Sequence, residues 1–205
     1  MARQKHWDQV HGKREPNEVS WYQPHLGLSL EWIEQAGLSR SAGILDVGAG
    51  TSTLASDLLE QGYNDVTTLD CSAAAIDVAR SQLGSRSNQV QWLHGDITQL
   101  KLPALRFDLW HDRAVFHFLT EPSDRETYRA SLARALRPGG SLILATFALQ
   151  GPERCSGLPV VRYDAAALQR EFGPDFRLLA TETETHRTPS GNRQEFLYCR
   201  FRRNP

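Results

Sequence analysis

Residues 44–52 read Ile44-Leu45-Asp46-Val47-Gly48-Ala49-Gly50-Thr51-Ser52. A short apolar run carrying one carboxylate ends in two glycines, and two hydroxyls follow. Bounded by Gly43 and Gly48, Ile44–Val47 is expected to be a buried strand. Glycine at 48 and 50 leaves a backbone that a ligand can approach closely, because a Cβ there would collide with it. Leu54, Leu58 and Leu59 then fall at helical spacing, with Gly62 as a stop. Strand, glycine turn and helix open an α/β sheet, and such sheets bind ligands beyond the carboxyl ends of their strands.

Working outward, Val66–Leu69 predicts a second strand ending at Asp70, with Ser72 capping a helix that stops near Gly84. Val90–Leu93 is the third strand, followed by the turn His94-Gly95-Asp96, and Phe107–Trp110 is the fourth. A helix opening at Ser123-Asp124 stops at Pro138-Gly139-Gly140. Leu142–Phe147 is the most apolar run, as a central parallel strand should be. After a helix over 165–172, the runs 176–186 and 195–201 flank Pro189-Ser190-Gly191-Asn192 and predict an antiparallel hairpin. The expected fold is a doubly wound α/β sheet, mostly parallel, with helices on both faces and a C-terminal antiparallel hairpin. Residues 1–39, with Trp7, Trp21, Tyr22 and Trp32, are expected to form a short helical cap contributing to the active site. Residues 40–205 form the main domain.

The chain has 205 residues, 40% hydrophobic and 23% charged, with a formal net charge of −1. That composition is globular, and the balanced charge gives no field favouring nucleic acid. Three widely spaced cysteines make no CxxC pair, so neither a disulfide framework nor a structural zinc is expected. The first fifteen residues have no apolar core, so no signal peptide or membrane anchor is read there. A reducing, cytoplasmic setting is the default expectation.

Each residue just past a strand has a job if the ligand is a nucleoside. Asp70, 24 residues after Asp46, can accept from both ribose hydroxyls. Asp96 can accept from an adenine amino group, with Ile97 and Cys71 offering apolar faces to the ring. A dinucleotide is the rival ligand, since GxG followed by an acid about 20 residues on also describes NAD sites. Two details count against it: Thr53 stands where the last glycine of GxGxxG would be, and Asp46 would repel a pyrophosphate but hold a cation. A nucleoside-binding protein without catalysis is a further alternative.

DVGAGTS, the TLD ending at Asp70, the GD of HGDIT, and LRPGG before LILATF resemble the motif series of class I S-adenosylmethionine-dependent methyltransferases, over roughly residues 40–200. The resemblance implies a seven-stranded sheet and S-adenosylmethionine as cofactor. It assigns Asp46, Gly48 and Gly50 to the methionine portion, Asp70 to the ribose, and Asp96 with Ile97 to the adenine. Ser52 departs from the small residue, usually glycine, that the family often has there.

WHDRAVFHFL then holds the acceptor-side candidates: His111, Asp112 and His117 for catalysis, His111 also beside the cofactor, and Arg113 toward the substrate. A neutral histidine is a sensible base near pH 7. Trp21 and Tyr22 are expected to fold over the ligand-binding edge, Trp21 against the cofactor and Tyr22 on the substrate side. Cys155, in the Pro- and Gly-rich loop 151–160, is either a thiol activated by Arg154 or a small buried hydrophobe. No metal site is expected. The segment WDQVHGKREPNEVSWYQP resembles, over a short span, the start of methyltransferases related to protein-lysine enzymes. That resemblance makes a lysine on a partner protein the alternative acceptor; with balanced charge and no acidic or basic docking surface in the sequence, the acceptor is read as a small-molecule nucleophile.

Overall fold

The computed structural model describes residues 2–205. Five strands come first along the chain: β1 (Ile44–Val47), β2 (Val66–Asp70), β3 (Val90–His94), β4 (Phe107–Arg113) and β5 (Leu136–Phe147). A two-residue ribbon follows, β6 (Arg154–Cys155) with β7 (Leu158–Pro159), and then the hairpin β8 (Phe176–Arg187) and β9 (Arg193–Arg203). The main sheet has seven strands in the order β3-β2-β1-β4-β5-β9-β8. All pairs from β3 to β5 are parallel, and β9 runs antiparallel to both β5 and β8. The chain winds outward from β1 to β3 and returns beside β1 as β4, so the strand order reverses between β1 and β4, where ligands of such sheets bind.

Six helices cover the sheet: α1 (Ala2–His11), α2 (Gly27–Gln35), α3 (Leu54–Glu60), α4 (Ala73–Leu83), α5 (Pro122–Ala135) and α6 (Ala165–Phe172). Local chemistry fixes their starts. The Ser72 hydroxyl accepts from the Ala75 N–H at 3.2 Å, and the Asp164 carboxylate accepts from the Ala167 N–H at 2.7 Å. Strand side chains alternate between faces, so the sheet has two cores. Leu45, Val47, Trp110 and Leu144 pack against α5 and α6 through Tyr128, Leu132 and Phe172. Ile44, Leu109, Ile143 and Ala145 pack against α2 and α3 through Trp32, Ile33, Leu54 and Leu58.

Two strands run longer than their apolar runs suggest. β5 starts at Leu136, which pairs with Phe107; the register then jumps, and Ser141 pairs with Leu109. Pro138-Gly139-Gly140 is thus an irregularity within the strand's span, where a break before the strand was expected. β4 continues through His111, Asp112 and Arg113, which the sequence places beyond its end. That difference decides which of these side chains reach the site. Among the described residues no helix is long and apolar enough to cross a membrane.

Candidate active site

A cavity opens at the carboxyl ends of β1, β2, β3 and β4. Asp46, Asp70 and Asp96 line it, and so do Trp7, Trp21, Tyr22 and Phe118.

Asp46 lies opposite His111 in the β1–β4 register, and its Oδ1 is 2.7 Å from His111 Nδ1. His111 Nε2 is 2.9 Å from the Ser29 hydroxyl on α2. A carboxylate only accepts, so Nδ1–H donates to Asp46, and in the neutral ring Nε2 then accepts from Ser29. This chain fixes Asp46 and leaves its Oδ2 with no hydrogen bond among the described residues.

Asp70 is equally constrained: its Oδ2 accepts from the Gly50 N–H and its Oδ1 from the Ser72 N–H, both at 2.7 Å. Burial outweighs these two donors and pushes its pKa up to about 6. Gly48 is required for a reason other than ligand approach. Its φ is +67°, and a Cβ there would stand 1.9 Å from Val115 Cγ2, so it is the chain's own β4 exit that excludes a side chain. Gly50, with φ +54°, faces the His11 ring.

Asp96 is held by the Thr98 N–H and hydroxyl and by Arg3, whose guanidinium lies 2.9 Å from Oδ2 and also reaches Asp124 at 2.6 Å. Ile97 is buried in the cavity wall. Cys71 lines the wall too, its thiol pushed up to about 12 by burial and by the neighbouring Asp70 and Asp96. Both serve as apolar surface.

The acceptor-side candidates divide by strand alternation. His111 and Arg113 point into the cavity, whereas Asp112 turns to the opposite face of β4, where it accepts from the Val115 N–H and from the Tyr128 hydroxyl. Asp112 does not line the cavity. Neither does His117, which is fully buried among Phe118, Phe147 and Phe196, with Nδ1 accepting from the Phe147 N–H at 3.2 Å. Burial pushes its pKa down to about 3. The geometry therefore removes Asp112 and His117 from contact with a substrate in this cavity. Cys155 does line it, but Arg154 turns away to the Gly157 carbonyl and burial raises the thiol pKa, so the expectation of an activated thiolate is not met. Arg113 donates to the Tyr198 hydroxyl and to the Trp21 carbonyl, both at 3.0 Å. Its second contact ties the Trp21–Tyr22 segment to the sheet.

Three contributors were not foreseen, Arg3 and His11 on α1 and Ser29 on α2, and Trp7 was expected only as part of the cap. Arg3, Trp7 and His11 are spaced by four, so they form one face of a helix. That stripe is visible in the sequence, but its mean polarity gives no sign that the helix packs on anything. Trp7 meets Phe118 at 5.0 Å and Trp21 at 5.6 Å between ring centroids, edge to face in both cases.

A family described as a methyltransferase domain matches residues 44–140. The chain is 25% identical over 149 residues to the eEF1A lysine and N-terminal methyltransferase of Mus musculus, a match covering 70% of this chain and 21% of that protein. It thus spans about a fifth of that relative. A solved structure described under the conversion of a disulfide bond into a thioacetal group during echinomycin biosynthesis aligns with a TM-score of 0.77 and 25% identity, covering 98% of this chain and 92% of the other. The Burkholderia thailandensis 1,6-didemethyltoxoflavin-N1-methyltransferase, solved with its substrate and S-adenosylhomocysteine, aligns with a TM-score of 0.74 and 22% identity, covering 100% of this chain and 89% of the other.

Proposed function

The chain belongs to the class I S-adenosylmethionine-dependent methyltransferases, and from that premise we propose that it methylates a nitrogen, oxygen or sulfur atom of a small molecule. One observation carries this reading. The three acids of the cavity, Asp46, Asp70 and Asp96, stand at or just past the ends of β1, β2 and β3, where the cofactor is placed, and the cavity's remaining lining includes Trp7, Trp21, Tyr22 and Phe118, with Arg113 at the end of β4. Among the described residues no further carboxylate lines the cavity to receive a lysine ammonium, and Arg113 does line it. A neutral or anionic planar molecule meets aromatic faces.

The residues fit the cofactor. Asp70 keeps lone pairs for ribose hydroxyls beyond those used by Gly50 and Ser72, and Asp46 Oδ2 is free for a cationic amino group. When bound, S-adenosylmethionine supplies a methyl group on a positively charged sulfur. The chain's own part is to hold, orient and keep dry. Trp7, Trp21 and Phe118 exclude water from the cavity. With Asp112 and His117 turned away and both His111 nitrogens engaged, the acceptor presents its own lone pair, and catalysis rests on positioning.

Methyl-labelled S-adenosylmethionine incubated with cell extract tests the acceptor class. Label in the soluble small-molecule fraction, lost in the Asp46→Ala variant, is the expected result; label in a discrete protein band would overturn it. That second outcome belongs to the protein-lysine reading, which the similarity to an eEF1A lysine methyltransferase favours.

A further inference from the structure

In a cavity with three carboxylates, the carboxylate of a bound amino acid moiety needs donors, and most N–H groups of the glycine loop, Thr51 excepted, are already engaged. The Gly48 and Ala49 N–H groups both donate to the Leu69 carbonyl, the Gly50 N–H to Asp70, and the Ser52 N–H to the Ala49 carbonyl. Four basic side chains line the cavity: Arg3, His11, His111 and Arg113. Arg3 is engaged by Asp96 and Asp124, and His111 by Asp46 and Ser29; Arg113 donates to Tyr198 and Trp21, and its remaining Nη2 lies 3.6 Å from Glu184.

His11 is left. It is 9% exposed, packs edge-to-face on Trp21 at 5.9 Å, and among the described residues makes no side-chain hydrogen bond. Its Nε2–Cε1 edge is aimed at the glycine loop: a Cβ on Gly50 would lie 3.6 Å from Cε1 and 3.9 Å from Nε2. An unpartnered imidazole buried this deeply against the loop is a donor waiting for an acceptor.

We propose that His11 is a cofactor-binding residue, donating from Nε2–H to the α-carboxylate of the methionine moiety, so that α1 completes the site. The inference deepens the cofactor reading above and rests on it. Burial lowers the His11 pKa, so the ring is neutral and carries one N–H, which suits a single directed hydrogen bond.

The test compares two ligands that differ in the amino acid moiety. S-adenosylhomocysteine carries the carboxylate, and 5′-methylthioadenosine lacks it. His11→Ala should weaken S-adenosylhomocysteine about tenfold to a hundredfold, the range for a hydrogen bond to a charged group. Affinity for 5′-methylthioadenosine should stay within about twofold, and His11→Gln, which keeps a donor, should recover part of the loss. Equal losses for both ligands would make His11 a packing residue and overturn the assignment. Unchanged S-adenosylhomocysteine affinity with lower turnover would also overturn it. Wild-type protein that binds neither ligand would sink the cofactor reading itself, and the comparison separates that failure from the others.

Discussion

At the scale of single residues, the site is a set of buried polar groups whose partners are prescribed, and removing a partner should cost accordingly. The Trp110 Nε1–H donates to the Tyr128 hydroxyl at 2.8 Å, which donates to Asp112 Oδ2 at 2.7 Å, and all three residues are fully buried. Tyr128→Phe orphans a donor and a charged acceptor, so chemical denaturation should show a loss of about 2–4 kcal/mol. Gly48→Ala adds a Cβ at positive φ against Val115, and the unfolding free energy should fall by roughly 3 kcal/mol, with cofactor affinity falling as the loop shifts. Asp70 gives a pH signature. If Asp70 accepts from the ribose as proposed, its pKa near 6 means that acid removes that acceptor, so S-adenosylhomocysteine affinity should be about tenfold weaker at pH 5 than at pH 7. Titration calorimetry at both values checks this, and Asp70→Asn should flatten the dependence.

At the scale of elements, the N-terminal segment is joined to the sheet by specific ties. Arg3 bridges α1 to Asp96 and Asp124, Asp8 accepts from the Ser72 hydroxyl at 2.8 Å, and His186 Nε2 lies 2.7 Å from the Ser20 carbonyl. Arg3→Ala removes two ionic contacts of a helix with little apolar surface, so hydrogen exchange should speed up across α1 and stay unchanged in β1 and β4. Elements of the central sheet were legible because apolar runs bounded by glycine and acid have few other readings: Ile44–Val47 is a strand to the residue. The end of β4 was not. His111, Asp112 and Arg113 are polar, and polarity resembles a loop until strands on both sides demand pairing. Reading them as strand residues would have sent Asp112 to the far face by alternation alone. That Asp46, Asp70, Asp96 and Ile97 line the cavity was legible because they stand at or just past strand tips. Ser29 and His11 were not, since their partners lie 82 residues away in the first case and on the glycine loop in the second.

At the scale of the whole molecule, two buried carboxylates tilt the stability curve. Asp70 and Asp112 both have folded pKa values raised to about 6 by burial. The native state therefore binds protons that the unfolded chain, with an ordinary carboxylate pKa near 4, does not. Stability from these groups rises as pH falls from 7 through 6 toward 4, and the cost of their charge is full above 6. The stability advantage of Asp112→Asn over wild type should accordingly be larger at pH 7 than at pH 4.5, by roughly 2 kcal/mol. Urea midpoints at the two pH values would show it. The sheet thus places charge where burial penalises it, and a ligand that donates to Asp70, the one of the two that lines the cavity, relieves its share of the penalty.

The most direct test of the account is a calorimetric titration of S-adenosylhomocysteine into wild type, Asp46→Ala and Asp70→Ala, with NADH as a parallel ligand. Saturable binding of S-adenosylhomocysteine to wild type, weakened about tenfold or more in each variant, with no NADH binding, is the predicted result. Affinity unchanged in both variants, or binding of NADH in place of S-adenosylhomocysteine, would contradict it.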